Sequence, residues 1–177
     1  MRLAFDLRAL GPERIVLRTY TVFRNDMTPD VVRGIMSGAL EASRMGHEYL
    51  GSEHLLLGYL QEPSGIKLFG DVGTFPGKSV NVESVRKEVL KLVKQEPEIN
   101  PTYLDLTPVS IKALDHTLEV ARNMKLDKID MRASVLGVLK QRMDSPGVLA
   151  LRNLGVNEER LYERIFSSLC PASPIVI

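Results

Sequence analysis

The sequence predicts an all-α protein in which one helical unit occurs twice. The first observation is that apolar residues recur at helical spacing after residue 28, and the second is an internal repeat. The pair Thr28-Pro29 returns as Thr107-Pro108, and Leu57-Gly58 returns as Leu136-Gly137 at the same separation. Because these matches fall in the same order in both halves, duplication of one unit is the simplest explanation.

Length and composition exclude several classes of protein. A chain of 177 residues, 44% of them hydrophobic and 25% charged, can bury a core without disulfides or a structural metal. The formal net charge of +1 argues against a polybasic nucleic-acid binder. The single cysteine, Cys170, cannot form an intramolecular disulfide or a cysteine-rich zinc site, which favours a reducing compartment. No apolar run approaches the roughly 18 residues of a membrane span.

The N-terminal segment of 26 residues carries five arginines, a feature of organelle transit peptides. The acids Asp6 and Glu13 interrupt that pattern, and the β-branched and aromatic run 15–23 is typical of a strand. We expect an ordinary extension rather than a targeting signal. The expected location is the cytoplasm, or the plastid stroma if the source is eukaryotic.

Repeat one is expected to contain four helices. Thr28 is a good helix N-cap, and the proline after it suits the first helical position. We expect this helix to end near Gly46 and the second helix to begin with Ser52 as its cap. A short helix should follow Ser64, and the last should begin at an Asn81 cap.

The sequence of repeat two predicts the same order of four helices as repeat one. Its first helix starts at Thr107, its second runs from about Met131 to Arg142, a short third follows Ser145, and its last begins at Asn157. The predicted organisation is an extension (1–26), repeat one (27–96), a linker (97–106), repeat two (107–169) and a C-terminal tail (170–177).

Two motifs invite a catalytic or cofactor-binding interpretation, and the spacing argues against both. The run 73–79 ends in Gly-Lys-Ser, but a phosphate-binding loop needs glycine where Val72 stands. His47 and His54 flank acidic residues, yet a helical zinc protease needs a second histidine four residues after the first, where Gly51 stands. The sequence therefore predicts no catalytic residues, no cofactor and no metal site. His47 and His54 are interpreted as helix-terminal histidines.

Residues 46–58, GHEYLGSEHLLLG, closely resemble the signature of the Clp N-terminal repeat family, in which Leu-Gly-His precedes Gly-Thr-Glu-His-Leu-Leu-Leu-Gly. The Thr-Pro helix starts and the run Asn-Leu-Gly-Val at 153–156 agree with that family, so the resemblance covers residues 27 to about 169. It implies two four-helix repeats related by a pseudo-twofold axis and packed as one domain. In ClpA and ClpC chaperones this double module receives adaptors or substrates and is not itself an enzyme.

The resemblance also implies a binding site. In ClpC-type domains the Gly-Thr-Glu-His turn binds phosphorylated arginine, with helix N–H groups at the phosphate and a carboxylate at the guanidinium. The matching positions here are Gly51, Ser52, Glu53 and His54, with Thr28 at the neighbouring helix start. For Glu53, a role in capping and fold maintenance is the alternative to ligand contact.

Repeat two departs from the signature, because Asp130, Met131, Arg132 and Ala133 occupy the turn and a cation replaces the carboxylate. The insertion 70–79 in repeat one is also unusual and has no assigned role. Since no Walker element follows, the chain resembles free-standing ClpT-like accessory proteins of the plastid Clp protease. We expect a non-catalytic adaptor that binds Clp chaperone or core subunits or substrates, and neither nucleic acid nor membranes. The alternatives are the receptor domain of a ClpC- or ClpA-type ATPase, or a phosphoarginine binder.

Overall fold

The computed structural model describes residues 5–6, 16–17, 26–70, 80–99 and 104–170. Within these ranges the protein is mostly helical, with eight α-helices and four strands of two residues each, so the predicted all-α fold class is confirmed. None of these helices combines the length and the apolar character needed to cross a bilayer. Most of the insertion 70–79, including the whole 73–79 run, lies outside the described residues.

The N-terminal extension contains two short strands, β1 (Phe5–Asp6) and β2 (Val16–Leu17), which pair in an antiparallel ribbon. β2 lies inside the run 15–23 that the sequence predicts as a strand, and the remainder of that run lies outside the described residues.

Repeat one follows the predicted order of four helices. The first helix has proline in its first turn, where the missing N–H costs no hydrogen bond. The acid in its first turn and Arg44 at its end suit the helix dipole. Asn81 caps the fourth helix by accepting from the Ser84 N–H. The elements are α1 (Pro29–Arg44), β3 (Tyr49–Leu50), α2 (Ser52–Tyr59), α3 (Pro63–Gly70) and α4 (Val82–Leu92).

Repeat two has the same order, and its first helix has the same 16-residue length as α1. Thr107, Asp130, Ser145 and Asn157 each accept a backbone N–H as N-caps. Arg142, predicted to end the second helix, instead lies in a short 3₁₀ turn after it. The elements are β4 (Asp105–Leu106), α5 (Pro108–Asn123), α6 (Met131–Leu139), α7 (Pro146–Asn153) and α8 (Glu158–Leu169).

Two predicted caps of repeat one differ in the structure. Thr28 occupies the N-cap position of α1, but its hydroxyl makes no cap hydrogen bond and instead donates to the Ile129 carbonyl at 3.3 Å. Ser52 is the first residue of α2 rather than its cap, and Gly51 holds the N-cap position. Both hydroxyls are used in contacts with repeat two, which sequence spacing within one repeat could not show.

The second helix of each repeat forms the centre of the core. Every residue of α2 is buried, and every residue of α6 is buried except Arg132. Within each repeat the first helix packs along the second, as α1 on α2 and α5 on α6. Between repeats the third helices cross over, because α7 packs against α2 and α3 packs against α6. The two repeats therefore share one hydrophobic core.

The packing of α1 on α2 depends on glycine. A Cβ on Gly58 would overlap the backbone of Gly34 and Gly38 on α1, so the two helices approach at backbone contact. In repeat two the equivalent Gly137 faces the Thr117 hydroxyl and the Ala113 carbonyl. The first and second helices thus approach closely at a glycine in both repeats, and in repeat two the Thr117 side chain lies at the contact.

Short β contacts place the start of each repeat beside the second helix of the other. β3, just before α2, pairs in parallel with β4, just before α5, with Leu50 opposite Leu106. The equivalent contact in the other direction is a parallel bridge between Met27 and Ile129. The turn into α2 is therefore built from both repeats, and so is the turn into α6.

Candidate functional site

The turn that enters α2 contains four of the five residues that the family resemblance singles out. Gly51 holds the N-cap position, and Ser52, Glu53 and His54 form the first turn of the helix. The last three are 1%, 3% and 0% exposed, respectively. The turn thus lies inside the protein rather than on its surface.

A chain of hydrogen bonds joins this turn to the loop after α1. The Gly51 N–H donates to His54 Nδ1 at 2.9 Å, which supplies half of a capping box with histidine as the returning side chain. His54 Nε2 lies 2.9 Å from His47 Nδ1, and His47 Nε2 lies 2.7 Å from the Lys94 carbonyl. The two histidines, predicted as helix-terminal residues, are therefore hydrogen-bond partners.

The two ends of the chain fix the tautomers of both rings. Because Gly51 supplies an N–H, His54 Nδ1 must accept, and its proton is on Nε2. Because Lys94 supplies a carbonyl, His47 donates from Nε2 and accepts at Nδ1. Both rings are therefore neutral. In agreement, burial, together with the neighbouring His47, lowers the pKa of His54 to about 3.

Glu53 lies beside the histidine pair, with a carboxylate oxygen 3.8 Å from His54 Nδ1. Burial raises the pKa of the Glu53 carboxyl above its usual value, against the opposing effect of a hydrogen bond from its own N–H. The exposed ring of Tyr49 stacks on His47 with ring centroids 4.9 Å apart. His47, Glu53 and His54 themselves are buried.

His47, Glu53 and His54 could be taken for a metal site, since one ligand atom from each lies within 4.8 Å of the others. The hydrogen bonds argue against that interpretation. A metal on His54 Nε2 would place the ring proton on Nδ1, opposite the Gly51 N–H that already donates there. A metal on His47 Nδ1 would displace the His54 bond. The residues do not fit a metal without breaking these bonds.

The start of α7, from repeat two, covers the turn. The Ser52 hydroxyl donates to the Ser145 hydroxyl at 2.9 Å, and Ser145 in turn caps α7. A Cβ on Gly147 would lie 3.0 Å from the Glu53 Cα, so the two helix starts are in close contact. Ser145 is a predicted helix start, but no local pattern in the sequence indicates that it contacts Ser52.

Thr28, the fifth candidate, belongs to the other turn. Its hydroxyl and its N–H are both bonded to the Ile129 carbonyl, directly before α6. The helix start that lies beside the Gly51 turn is that of α5, where the Ser110 hydroxyl donates to the Leu50 carbonyl at 2.8 Å. The pseudo-symmetry of the repeats thus pairs Thr28 with the Asp130 turn.

The Asp130 turn differs in chemistry from its counterpart. Asp130 caps α6 by accepting from the Ala133 N–H, and its other oxygen accepts from Arg132 Nε at 2.8 Å and Nη2 at 2.5 Å. Arg132 Nη1 also donates to the Ser168 carbonyl at 2.8 Å. A capped helix start with a half-exposed cation therefore stands where repeat one has a buried carboxylate.

The loop after α1 is held by an extended segment, residues 94–99. The Glu96 N–H donates to the Met45 carbonyl and the Ile99 N–H to the Ser43 carbonyl. Gly46, which follows the end of α1 as predicted, has φ of +77° and directly faces the backbone of this segment. The His47–Lys94 bond extends the same contact into the core.

Comparison with known proteins identifies this architecture. The family model of the Clp repeat (R) N-terminal domain matches residues 26–147. The chain is 28% identical over 162 residues to the chloroplastic chaperone protein ClpC1 of Oryza sativa subsp. japonica, a match that covers 89% of this chain and 16% of that protein. The chain therefore spans about one-sixth of the length of this relative.

Solved structures share the fold. The N-terminal domain of the chaperone ClpD from Arabidopsis thaliana superposes with a TM-score of 0.62 and 20% identity, covering 82% of this chain and 98% of that one. A ClpV N-domain in complex with a VipB peptide gives a TM-score of 0.59 and 17% identity, covering 93% and 99%. The match of the family model to residues 26–147, more than half of the chain, shows that the chain belongs to the Clp repeat N-terminal domain family.

Proposed function

We propose that this chain is a non-catalytic accessory or adaptor module of a Clp-type ATP-dependent protease, which binds Clp chaperone or core subunits or their substrates. The observation that carries the proposal is the burial of the His47–Glu53–His54 cluster. These side chains, of the types used in catalysis, are buried and hydrogen-bonded to one another or to the backbone. Their hydrogen bonds hold the turn into α2 and the loop after α1 in place, so we assign the binding function to the surface of the protein.

The proposal is tested by purifying the tagged full-length chain from its own cells and identifying the bound proteins by mass spectrometry. We expect Clp chaperone or peptidase subunits in stoichiometric amounts, and none with the tag alone. A preparation that holds none of these subunits, at a salt concentration that preserves other Clp complexes, would contradict the proposal. Adding the chain to a reconstituted Clp protease should change the rate at which a model substrate is degraded.

A second candidate is the N-terminal receptor domain of a larger ClpC- or ClpA-type ATPase. It is supported by the extent of the match, which covers nearly all of this chain and only 16% of the relative. A reading frame that continues past Ile177 into a Walker motif would decide for this candidate. A stop codon directly after Ile177 would decide for the accessory protein.

Binding of phosphoarginine is the specific substrate chemistry that the family resemblance suggests. At the Gly51 turn a ligand would have to displace the start of α7, which covers Ser52 and Glu53. Calorimetric titration with phosphoarginine tests this activity directly. Heat that disappears in Glu53→Gln, with an unchanged circular dichroism spectrum, would support it. The absence of heat with the folded wild-type chain would exclude it.

We place the protein in the same compartment as its Clp partner, which is the bacterial cytoplasm or the plastid stroma. The rice relative is a chloroplast protein, which supports the second location if the source is a plant or an alga. A fusion of residues 1–26 to a fluorescent protein tests this assignment, because import into plastids would identify these residues as a targeting signal.

A further inference from the structure

A groove lies beside the Asp130 turn, which is the equivalent in repeat two of the buried Gly51 turn in repeat one. We propose that this groove binds an acidic segment of a partner protein, with its carboxylates at Lys67 and Arg164. The inference rests on the proposed function as a protein-binding module and specifies the chemistry of one partner.

The groove is formed by α3, α6 and α8 together with the start of α1. Its volume is about 460 Å³, within the usual range for a ligand site. Apolar side chains contribute to the lining, and polar and charged groups complete it. The apolar members are Leu68, Met131 and Ile165. A peptide could therefore place one apolar residue among them while its charged residues remain beside polar groups.

Part of the charge in the groove is already neutralised. Asp130 and Arg132 form a two-point ion pair, and the third guanidinium nitrogen of Arg132 bonds to a backbone carbonyl. Asp30 accepts the Ser64 hydroxyl at 2.5 Å. Although partial burial acts to raise it, hydrogen bonds of this kind lower the pKa of Asp30, so that its carboxylate is ionised at neutral pH.

The remaining charge is positive. Lys67 in the last turn of α3 and Arg164 on α8 both line the groove and are exposed. Among the ion pairs that the described residues form, none includes either of them. Within the described part of the chain, the hydrogen bond that Arg164 donates goes to the Leu68 carbonyl, which is neutral. Two cations thus face one ionised carboxylate, Asp30, and a ligand with carboxylates would balance them.

Among the described residues, the equivalent place in repeat one is covered by a helix. There the start of α7 closes on the turn through the Ser52–Ser145 bond and the contact at Gly147. In repeat two, Arg132 remains outside the core and is paired with Asp130, so the positive charge beside the turn comes from Lys67 and Arg164. A ligand headed by a guanidinium would meet these two cations, so the geometry favours an anionic partner.

The test uses the full chain and three short fluorescein-labelled peptides that contain one leucine and several glutamates, glutamines or lysines. Fluorescence anisotropy should show the glutamate peptide binding at least about tenfold more tightly than the glutamine peptide, and the lysine peptide binding least. The preference should weaken as salt is added. Equal affinity for the glutamate and glutamine peptides would overturn the proposal.

Variants locate the binding. Lys67→Glu/Arg164→Glu should abolish the preference for glutamate, and Lys67→Gln/Arg164→Gln should reduce it about tenfold. The matched control is Lys112→Glu/Arg122→Glu, which changes the net charge equally at two exposed positions of α5. Thermal melting verifies that each variant is folded. Loss of the preference in the control, or its survival in both groove variants, would contradict the assignment.

The same variants separate this inference from the proposed function. If Clp subunits co-purify with the wild-type chain but the glutamate peptide shows no preference, the groove proposal fails and the accessory function stands. If the peptide binds at the groove but no Clp subunit co-purifies, the accessory function fails and the groove remains an acidic-peptide site.

Discussion

The turns into α2 and α6 occupy equivalent positions in the two repeats, and their side chains have opposite fates. In repeat one, Gly51 leaves the helix uncapped by a side chain, and Glu53 is buried beside two neutral histidines. In repeat two, Asp130 caps the helix and holds Arg132 at the surface. The difference shows that the helix order can be kept while the polar residues at the helix start are exchanged.

The side chains at the two helix starts satisfy different N–H groups. In repeat one, His54 accepts the N–H of the N-cap residue Gly51, and His47 continues the chain of hydrogen bonds to the Lys94 carbonyl. Repeat two has Ala133 at the position of His54, and the N-cap residue Asp130 itself accepts the Ala133 N–H in the first turn of the helix. Equivalent helix starts are thus stabilised by different hydrogen bonds.

The largest expected effect tests what the two repeats have in common. Leu56→Ala on α2 and Leu136→Ala on α6 each remove a side chain that is 0% exposed. Each should lower the free energy of unfolding by about 2–5 kcal/mol, measured by urea denaturation. Leu40→Ala, at a position 48% exposed on α1, serves as the control and should change it little. A neutral result at Leu56 or Leu136 would contradict the shared core.

A smaller effect tests the histidine chain of repeat one. Because the pKa of His54 is lowered to about 3, against about 6.5 in an unfolded chain, the unfolded state binds more protons between these values. The free energy of unfolding should therefore fall as the pH is lowered through this window. His54→Ala, which introduces the residue of repeat two, should flatten this dependence between about pH 7 and pH 4.

The control for that experiment is His116→Ala, on α5. His116 bonds to Glu119 and Tyr162, away from the buried pair. This variant should keep the acid sensitivity of the wild-type chain, measured by urea denaturation at each pH. If His54→Ala and His116→Ala gave the same slope against pH, the buried pair would not be the source of the sensitivity.

The smallest effect tests the cap of repeat two. Asp130→Ala removes the acceptor of the Ala133 N–H and should cost about 1 kcal/mol, measured by thermal and chemical unfolding. The reciprocal change, Gly51→Asp, should not stabilise repeat one, because a Cβ at Gly51 would overlap the Glu53 carboxylate. A gain in stability from Gly51→Asp would show that the two turns are interchangeable.

Helix order and type could be predicted from the sequence because they depend on local signals. The caps at Thr107, Asn81 and Asn157 and the positive φ at Gly46 all follow from residue type and spacing. Thr28 and Ser52 did not follow the local rule, since their hydroxyls bond across the repeats to Ile129 and Ser145. Contacts between residues about one hundred positions apart leave no local pattern.

The sequence identified the residues of the candidate site but not their burial or their contacts. The run from Gly51 to His54 stood out by its resemblance to a family signature, but its burial under α7 depends on how the repeats cross. His47 and His54 are seven residues apart in the sequence with a helix start between them, and the turn brings His47 Nδ1 to 2.9 Å from His54 Nε2. The groove beside Lys67 and Arg164 is formed by α3 of repeat one and by α6 and α8 of repeat two, so no local sequence motif predicts it.

The crossing of the third helices has a consequence for any single repeat. α7 of repeat two covers α2 of repeat one, and α3 of repeat one covers α6 of repeat two. A polypeptide of one repeat alone would therefore expose the apolar face of its second helix that the third helix of the other repeat now covers. It could recover that burial by exchanging third helices with an identical copy, as an isologous dimer. Joining two units in one polypeptide makes that association independent of concentration and allows each half to acquire its own polar residues.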